Sequence, residues 1–189
     1  MARYSRDHKQ LTRRRILERA GRRFKRDGID GSGVATLMAD AGLTNGAFYA
    51  HFDSKEDLVA AVVDDQLRSQ RETYAPALAD RAGFEQFVRD YLSPAHRDLP
   101  DEGCPSAALL DEIARSSDAT RRAYTEGLLA MMDGVAALID AHDPASARIR
   151  ALSIFASMAG TLQLSRALAD RELADDVLRQ GIDNVLLLA

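Results

Sequence analysis

The sequence predicts an all-α protein, and three observations support that fold class. Apolar residues recur every three or four positions, and no long stretch alternates apolar with polar residues as a strand would. Glycine and proline stand between these periodic segments. Helix-capping residues, such as Ser54 and Asp143, precede several of them. We therefore expect about nine helices, divided into an N-terminal three-helix domain over 1–60 and a C-terminal helical domain over 61–189.

The N-terminal helices are predicted from apolar spacing and glycine stops. A first helix over about 8–27 carries Ile16, Leu17, Ala20 and Phe24 as one stripe, and Gly28 ends it. A short helix over 34–41 stops at Gly42. Thr44 is expected to cap the next helix, which turns three residues inward: Ala47, Phe48 and Phe52.

The following helices are predicted in the same way. Ser54, with Asp57 at the third helical position, indicates a capping box that opens a long helix over about 55–75. The segment from Pro94 to Pro105 is expected to be a loop, and Pro105 suits a first helical position. The remaining predicted helices span about 82–96, 105–115, 118–141, 145–169 and 171–188.

Composition excludes several classes of protein. One cysteine rules out an intramolecular disulfide framework and favours a reducing compartment. The chain has no apolar run of the roughly 18 residues that a membrane span needs, and its basic N-terminus has no apolar stretch behind it as a signal peptide would. We therefore expect a cytoplasmic protein with no membrane partner.

Charge is distributed unevenly along the chain. The net charge is −4, but residues 1–26 carry +9, residues 27–60 carry −5 and residues 61–189 carry −8. A basic first helix is compatible with two interpretations, a solvated helix face or a surface for phosphate contact. Charge alone does not choose between them.

The segment 34–52 has the pattern of a helix-turn-helix. Two short helices flank a turn at Ala41-Gly42-Leu43, and small residues at the start of the second helix would allow a close approach to a DNA groove. The exposed start of that helix and Thr44 suit a phosphate. The alternative is a helix hairpin with Tyr49 and Phe52 in a core.

The run AGLTNGAFYAHFDSKEDL, preceded by Gly28-Ile29-Asp30-Gly31, resembles the DNA-binding domain of the TetR/AcrR family of regulators. The resemblance covers about residues 10–62, a third of the chain. The sequence departs from the family pattern at two positions. Asn45 stands where many members have a basic residue, and Gly33 where many have Thr or Ser, so the cap would fall to Ser32.

The resemblance implies a homodimer that binds a pseudo-palindromic site in double-stranded DNA and is released by a small-molecule effector. Because the sequence has no Cys/His metal spacing, we expect no metal, and we expect no cofactor. The resemblance implies phosphate contacts by Thr44, Tyr49, His51 and Lys55, and base contacts by Asn45, Gly46, Ala47 and Phe48. Thr36 would contact a phosphate or a base, and Asn45 either an adenine edge or a phosphate.

The helix over 145–169 is apolar nearly all round and rich in small residues. It is either an internal core helix or, as the resemblance favours, part of a dimer interface with the last helix. The predicted interface residues are Ala151, Phe155, Ala159, Leu162, Arg166 and Val185.

The resemblance also places an effector pocket among the middle helices, whose aromatic and methionine side chains suit an apolar or aromatic ligand. The predicted lining residues are Tyr74, Phe87, Tyr91, Cys104, Leu109, Ile113, Tyr124, Leu128, Met131, Phe155, Met158 and Gln163. Cys104 precedes a helix start, so it is either a structural residue or, as in some regulators of this family, a sensor of electrophiles or oxidants.

Two rival classes have less support. The sequence has no nucleophile elbow, zinc-protease motif, phosphate loop or Cys/His metal spacing, and its four histidines are far apart, so we expect no enzyme. A helical scaffold protein would share the apolar helices. It would not need the 44–55 motif beside a basic first helix.

Overall fold

The computed structural model describes residues 2–139 and 143–188, and the side chains of residues 7–139 and 143–188. In this part of the chain there are nine α-helices, two 3-10 helices and no strand, which confirms the all-α prediction. The α-helices are α1 (Ala2–Asp27), α2 (Val34–Asp40), α3 (Lys55–Tyr74), α4 (Arg81–Tyr91), α5 (Pro94–Asp98), α6 (Pro105–Arg115), α7 (Asp118–Ala136), α8 (Pro144–Ala167) and α9 (Arg171–Leu188). The 3-10 helices are Asn45–Ala50 and Ala77–Ala79. The predicted end of the seventh helix at 140–141 and His142 lie outside the described residues.

Two of the predicted caps are present and two are not. Ser54 Oγ accepts a hydrogen bond from the Asp57 amide at 3.1 Å, and the Asp143 carboxylate accepts from the Ser146 amide at 2.9 Å. Thr44 makes no capping bond. Ser32 does not cap α2 either, because its hydroxyl donates to the Gly28 carbonyl at 2.7 Å and the cap position is Gly33.

The predicted loop over 94–105 begins with a helix instead. Ser93 Oγ accepts from the His96 amide at 3.2 Å, and Pro94 occupies the first turn of α5. This is the same cap-and-proline pattern that opens α8. The single turn then ends at Asp98, ahead of the loop that leads into α6.

The helices enclose two hydrophobic clusters. The C-terminal cluster lies mainly between α4, α7, α8 and α9 and includes Phe87, Met132 and Phe155. The N-terminal cluster joins α1, α2, the Asn45–Ala50 helix and α3, and it also takes in Leu109 and Ile113 from α6. Because α3 contributes to the N-terminal cluster and packs along α7, it joins the two parts of the molecule directly.

None of the described helices combines the length and hydrophobicity that crossing a bilayer requires.

Candidate nucleic-acid interface

A glycine turn sets the angle between α2 and the Asn45–Ala50 helix. Gly42 has φ +68°, a conformation that costs residues with a Cβ atom about 1 kcal/mol or more. Its amide donates to the Ala39 carbonyl and the Leu43 amide donates to the Met38 carbonyl, both at 2.9 Å. These two bonds are the Schellman pattern, which satisfies the last carbonyls of α2. The sequence therefore folds the segment 34–50 as a helix-turn-helix.

The second helix of this motif is wound as a 3-10 helix rather than the α-helix expected from sequence. The amides of Ala47 and His51 donate to the carbonyls of Thr44 and Phe48, each three residues back, at 3.0 and 2.9 Å. Phe48 and Phe52 are buried, with rings 5.7 Å apart, so they fix this short helix to the N-terminal cluster. The opposite side faces solvent.

That solvent side carries most of the predicted DNA-contact residues. Thr36, Thr44, Asn45, Gly46 and Tyr49 are exposed, while Ala47, His51 and Lys55 are half-buried. Tyr49 is 73% exposed, and its ring stands edge-on to the Phe48 ring at 5.3 Å, which orients the hydroxyl outward.

The structure corrects the expectation that Phe48 faces the bases. Its side chain is 1% exposed and belongs to the N-terminal cluster, so it cannot reach a groove. Two aromatic residues one helical turn apart, such as Phe48 and Phe52, are typical of a side that faces a hydrophobic core, and both are buried here.

His51 lies where α1 passes the end of the 3-10 helix. Burial, and next the positive charges of Lys9 and Arg13, hold the pKa of His51 below its usual value. Its buried Nδ1 has no partner among the described residues. Arg13 stacks on the neighbouring Phe52, with the guanidinium carbon 4.7 Å from the ring centre.

The cations at the other end of α1 are used within the molecule. Arg23 Nε and Nη2 bond the Asp40 carboxylate at 2.7 and 2.8 Å, which fastens α1 to α2. Its Nη1 bonds Asp27 at 2.6 Å, and Arg26, followed by Arg23, lowers the pKa of Asp27 to about 2. These contacts position the helix-turn-helix and leave less charge for a partner at this end.

Three contacts join α1 and the turn after it to α6 and the loop before α6. Glu112 Oε2 on α6 accepts from the Ile29 amide at 2.7 Å. Lys25 Nζ donates to the Gly103 carbonyl at 2.8 Å, and Arg22 pairs with Glu102 at 3.1 Å. Sequence inspection did not identify these residues, since each contact spans about 80 positions and leaves no local pattern.

The predicted effector residues do not surround one cavity. Eight lie in or against the C-terminal cluster, where the rings of Tyr74, Phe87, Tyr91 and Phe155 pack on one another at 4.7 to 5.9 Å. The other members of this group are Cys104, Leu128, Met131 and Met158. These residues are core side chains in the structure.

The other four predicted effector residues lie outside the C-terminal cluster. Leu109 and Ile113 belong to the N-terminal cluster, because α6 turns that side toward α1 and α3. Gln163 lies on the exposed side of α8. Tyr124 is half-buried against the N-terminal cluster, and its hydroxyl donates to Ser106 Oγ at 3.0 Å.

Two adjoining clefts lie instead between α3 and the loop before α6, one bounded by α1 and the other by α4 and α5. Their volumes are about 340 and 400 Å³, and both are lined by Ser69, Gln70, Glu102 and Gly103. The side-chain oxygens of Gln66 and Gln70, one turn apart on α3, are buried there without a described partner. Sequence inspection missed these residues, although two glutamines four positions apart are a recognisable helix-face pattern.

The predicted dimer-interface residues point into the chain rather than away from it. Ala151, Phe155, Ala159, Leu162 and Val185 are buried. Arg166 donates to the carbonyls of His96, Arg97 and Ala107. The exposed stripe of α8 is Ile149, Ser153, Ala156, Gly160 and Leu164, and on α9 Leu173 and Leu187 are exposed. Because α8 is apolar nearly all round, its sequence does not tell the inner side from the outer.

Comparison with known proteins agrees with this geometry. Residues 16–62 match the model of the bacterial regulatory proteins of the tetR family. The regulator TtgR of Pseudomonas putida is 39% identical over 64 residues, which are 34% of this chain and 30% of TtgR. The repressor KstR2 of Rhodococcus jostii is 34% identical over 80 residues, 40% of this chain and 39% of KstR2. The chain thus spans only about a third of the length of these curated relatives.

The fold likeness extends much further along the chain. Escherichia coli NemR in its reduced form aligns over 92% of this chain and 94% of its own, with a TM-score of 0.77 and 18% identity. Bacillus subtilis FadR, solved in complex with stearoyl-CoA, aligns over 92% and 95%, with a TM-score of 0.69 and 16% identity. The helix-turn-helix domain over 16–62 thus belongs to the tetR family of bacterial regulatory proteins, and the remaining helices share the fold of these solved structures.

Proposed function

We propose that the protein is a ligand-responsive transcriptional repressor that binds a pseudo-palindromic DNA operator as a homodimer. The observation that carries this proposal is the two-sided 3-10 helix. Phe48 and Phe52 hold it rigidly from inside, while Asn45, Gly46 and Tyr49 face outward. A rigid element with small and polar outward residues suits a major groove.

Each exposed residue has a proposed role. Thr44, Tyr49, His51 and Lys55 supply phosphate contacts, which set the position of the motif on the duplex. Asn45, Gly46 and Ala47 face the bases, and Thr36 on α2 contacts the adjacent strand. Tyr49 is the strongest candidate, because its exposed hydroxyl sits on a ring braced by Phe48.

The dimer is proposed to form through the outer stripe of α8 together with α9. A Cβ atom built on Gly160 would meet nothing within 4 Å, so a partner helix can approach closely there. Ile149 and Leu164, 64% and 53% exposed, flank it with apolar surface. A two-fold dimer would place the two motifs on half-sites about 34 Å apart, one turn of DNA.

Sedimentation tests this interface. We expect Leu164→Glu to sediment as a monomer at micromolar concentration, because it places a charge in an apolar contact. Leu110→Glu is the matched control on the exposed side of α6 and should stay dimeric. A dimeric Leu164→Glu variant would contradict the assignment of this stripe.

Release by an effector is proposed to act through the contacts between the two parts of the chain. An effector bound among the C-terminal helices would favour a conformation in which α3 and α6 hold the helix-turn-helix at a different spacing. The hydrogen bond from the Ile29 amide to Glu112 joins α6 to the turn that leads into the DNA-binding motif. The proposed DNA-binding domain ends near residue 60, inside α3. The proposed compartment of the protein is the cytoplasm.

Selection of duplexes from a random library by the purified protein would supply the operator. On the selected duplex, Tyr49→Phe and Lys55→Ala should each weaken binding about tenfold, and Lys55→Ala should lower the dependence of affinity on salt. Arg122→Ala removes an exposed charge from α7 and serves as the control. If the protein selects no duplex, the proposed function is refuted. If both variants bind with unchanged affinity, the assignment of Tyr49 and Lys55 to the DNA contact is refuted.

A thiol-based response is the second candidate. Cys104 is buried beside the start of α6, and its amide donates to His96 Nε2 at 3.0 Å. Lys25 and Arg166, both cationic, bond the carbonyls of Gly103 and Ala107 around it. If the sulfur is the sensor, Cys104→Ser should no longer release DNA when an electrophile is added. Release that persists in this variant excludes the sensor role.

A further inference from the structure

The apolar stripe of α1 becomes basic where it leaves the core. Ile16, Ala20 and Phe24 are buried in the N-terminal cluster. Helical geometry of 3.6 residues per turn puts Lys9 and Arg13 on this same side of α1. Lys9 lies about 10 Å beyond Ile16 along the axis, at 1.5 Å per residue. The side of α1 that faces the helix-turn-helix therefore continues past it as two cations.

These two cations stand next to the DNA-facing surface. The Arg13 guanidinium lies 4.7 Å from the Phe52 ring centre, immediately after His51 in the chain. Lys9 and Arg13 both act electrostatically on His51. Because only His51 separates Phe52 from the end of the 3-10 helix, Arg13 lies beside the C-terminal end of that helix, and Lys9 follows one turn away on the same side of α1.

Their charges are not compensated by an acid in the described part of the chain. The cations near the end of α1 differ in this respect, since Arg22, Arg23 and Arg26 each pair with a carboxylate. Closely spaced like charges repel one another, so Lys9, Arg13 and a protonated His51 would be stabilised by an anion. The polyanion already proposed for this surface is DNA.

We propose that the N-terminal half of α1 is a second DNA-binding element, in which Lys9 and Arg13 contact backbone phosphates beside the groove that receives the 3-10 helix. The inference rests on the proposed function and extends it, because these positions precede the family match at 16–62. Phosphate contacts of this kind add affinity and fix orientation without reading sequence. Arg13 is held in position by Phe52, and Lys9 extends from the next turn.

The matched comparison uses two double variants that each remove two positive charges from α1. Lys9→Ala/Arg13→Gln removes the proposed contacts. Arg15→Ala/Arg19→Gln removes exposed cations from another side of the same helix. Affinity for the selected operator duplex is measured from 50 to 200 mM salt by fluorescence anisotropy.

The first variant should lower the slope of log K against log salt by about 0.9 per lost contact, or roughly 3.6 for four contacts in a dimer. Over a fourfold change in salt this reduces the salt-dependent loss of affinity by about two orders of magnitude. The control should keep the wild-type slope to within about one unit. Equal slopes in the two double variants would overturn the proposal.

Folding is monitored separately, because Arg13 touches Phe52. Lys9→Ala alone is the safeguard: Lys9 is exposed, and its loss should lower the slope by about 1.8 in a dimer. If Tyr49→Phe and Lys55→Ala weaken binding while Lys9→Ala does not, the α1 proposal fails and the proposed function stands. If the protein selects no duplex, both fail. Loss of binding to anionic vesicles without any change on DNA would assign the cations to a membrane surface and overturn the proposal.

Discussion

Replacing Glu112 with glutamine would weaken the shortest hydrogen bond between α6 and the turn that leads from α1 into the helix-turn-helix. The Glu112 carboxylate accepts from the Ile29 amide at 2.7 Å and, more weakly, from the Asp30 amide at 3.4 Å. A hydrogen bond to a charged group contributes about 1.5–3 kcal/mol, and Ile29 is only 6% exposed, so water replaces the acceptor poorly. Glu112 itself is half-buried, which lowers the expected loss to about 1–2 kcal/mol.

Urea denaturation measures this loss. With a slope of about 1–3 kcal/mol per molar, the midpoint of Glu112→Gln should fall by roughly 0.5–1 M, and Glu112→Ala should fall further. Glu126→Gln, an exposed carboxylate on α7, is the control and should stay within about 0.5 kcal/mol of the wild type. A Glu112→Gln midpoint equal to that control would show that the Ile29 amide is satisfied without the carboxylate, and the proposed coupling through α6 would lose its anchor.

Three further predictions follow from neighbouring residues. Burial lowers the pKa of Lys25 to about 8, below its value in the unfolded chain, so the charged amine destabilises the fold below pH 8. Lys25→Met should therefore raise the free energy of unfolding at pH 7 by about 1–2 kcal/mol. The difference between variant and wild type should shrink as the pH rises from about 8 to about 10.5. The pKa of His51 lies below its usual value in the free protein, and nearby DNA phosphates would raise it. Operator affinity, measured by anisotropy, should therefore increase as the pH falls from about 7.5 to about 6. His51→Gln should remove that pH dependence. Gly28 has φ +83°, and an added Cβ would stand 3.1 Å from Glu112 Oε1. Gly28→Ala should therefore lower the free energy of unfolding by about 1–2 kcal/mol, measured by thermal unfolding. An unchanged midpoint would contradict the turn geometry.

Local patterns predicted the helices well because their causes are local. Ser54 and Asp143 cap through side chains that bond amides three residues on, and such pairs are visible in sequence. The Gly42 turn was predicted for the same reason, since only its own neighbours satisfy it. Ser93 before Pro94 carried an equally local signal, and the prediction of a loop there was wrong because the proline was taken as a break rather than as a first helical residue.

The sites were harder to predict, because they depend on which side of a helix is covered. On α8, inner Phe155 and outer Ile149 have similar chemistry, so only the packed structure separates core from exposed surface. Leu109 and Ile113 are apolar residues on a helix of the C-terminal part, yet the N-terminal helices bury them. The bond between Glu112 and the Ile29 amide likewise has no trace in either segment alone.

The burial of Leu109 and Ile113 by α1 and α3 has a consequence for hybrid regulators. A DNA-binding domain moved from one such protein to another at a junction inside α3 would bring its own surface for α6 but meet a foreign α6. The transplanted motif would then keep its groove contacts and lose the fit that holds it at the correct angle. Under the proposed function, a hybrid that takes the residues facing Leu109 and Ile113, the Ile29 turn and Glu112 all from one parent should repress its operator and respond to its effector. The simpler junction should do neither well.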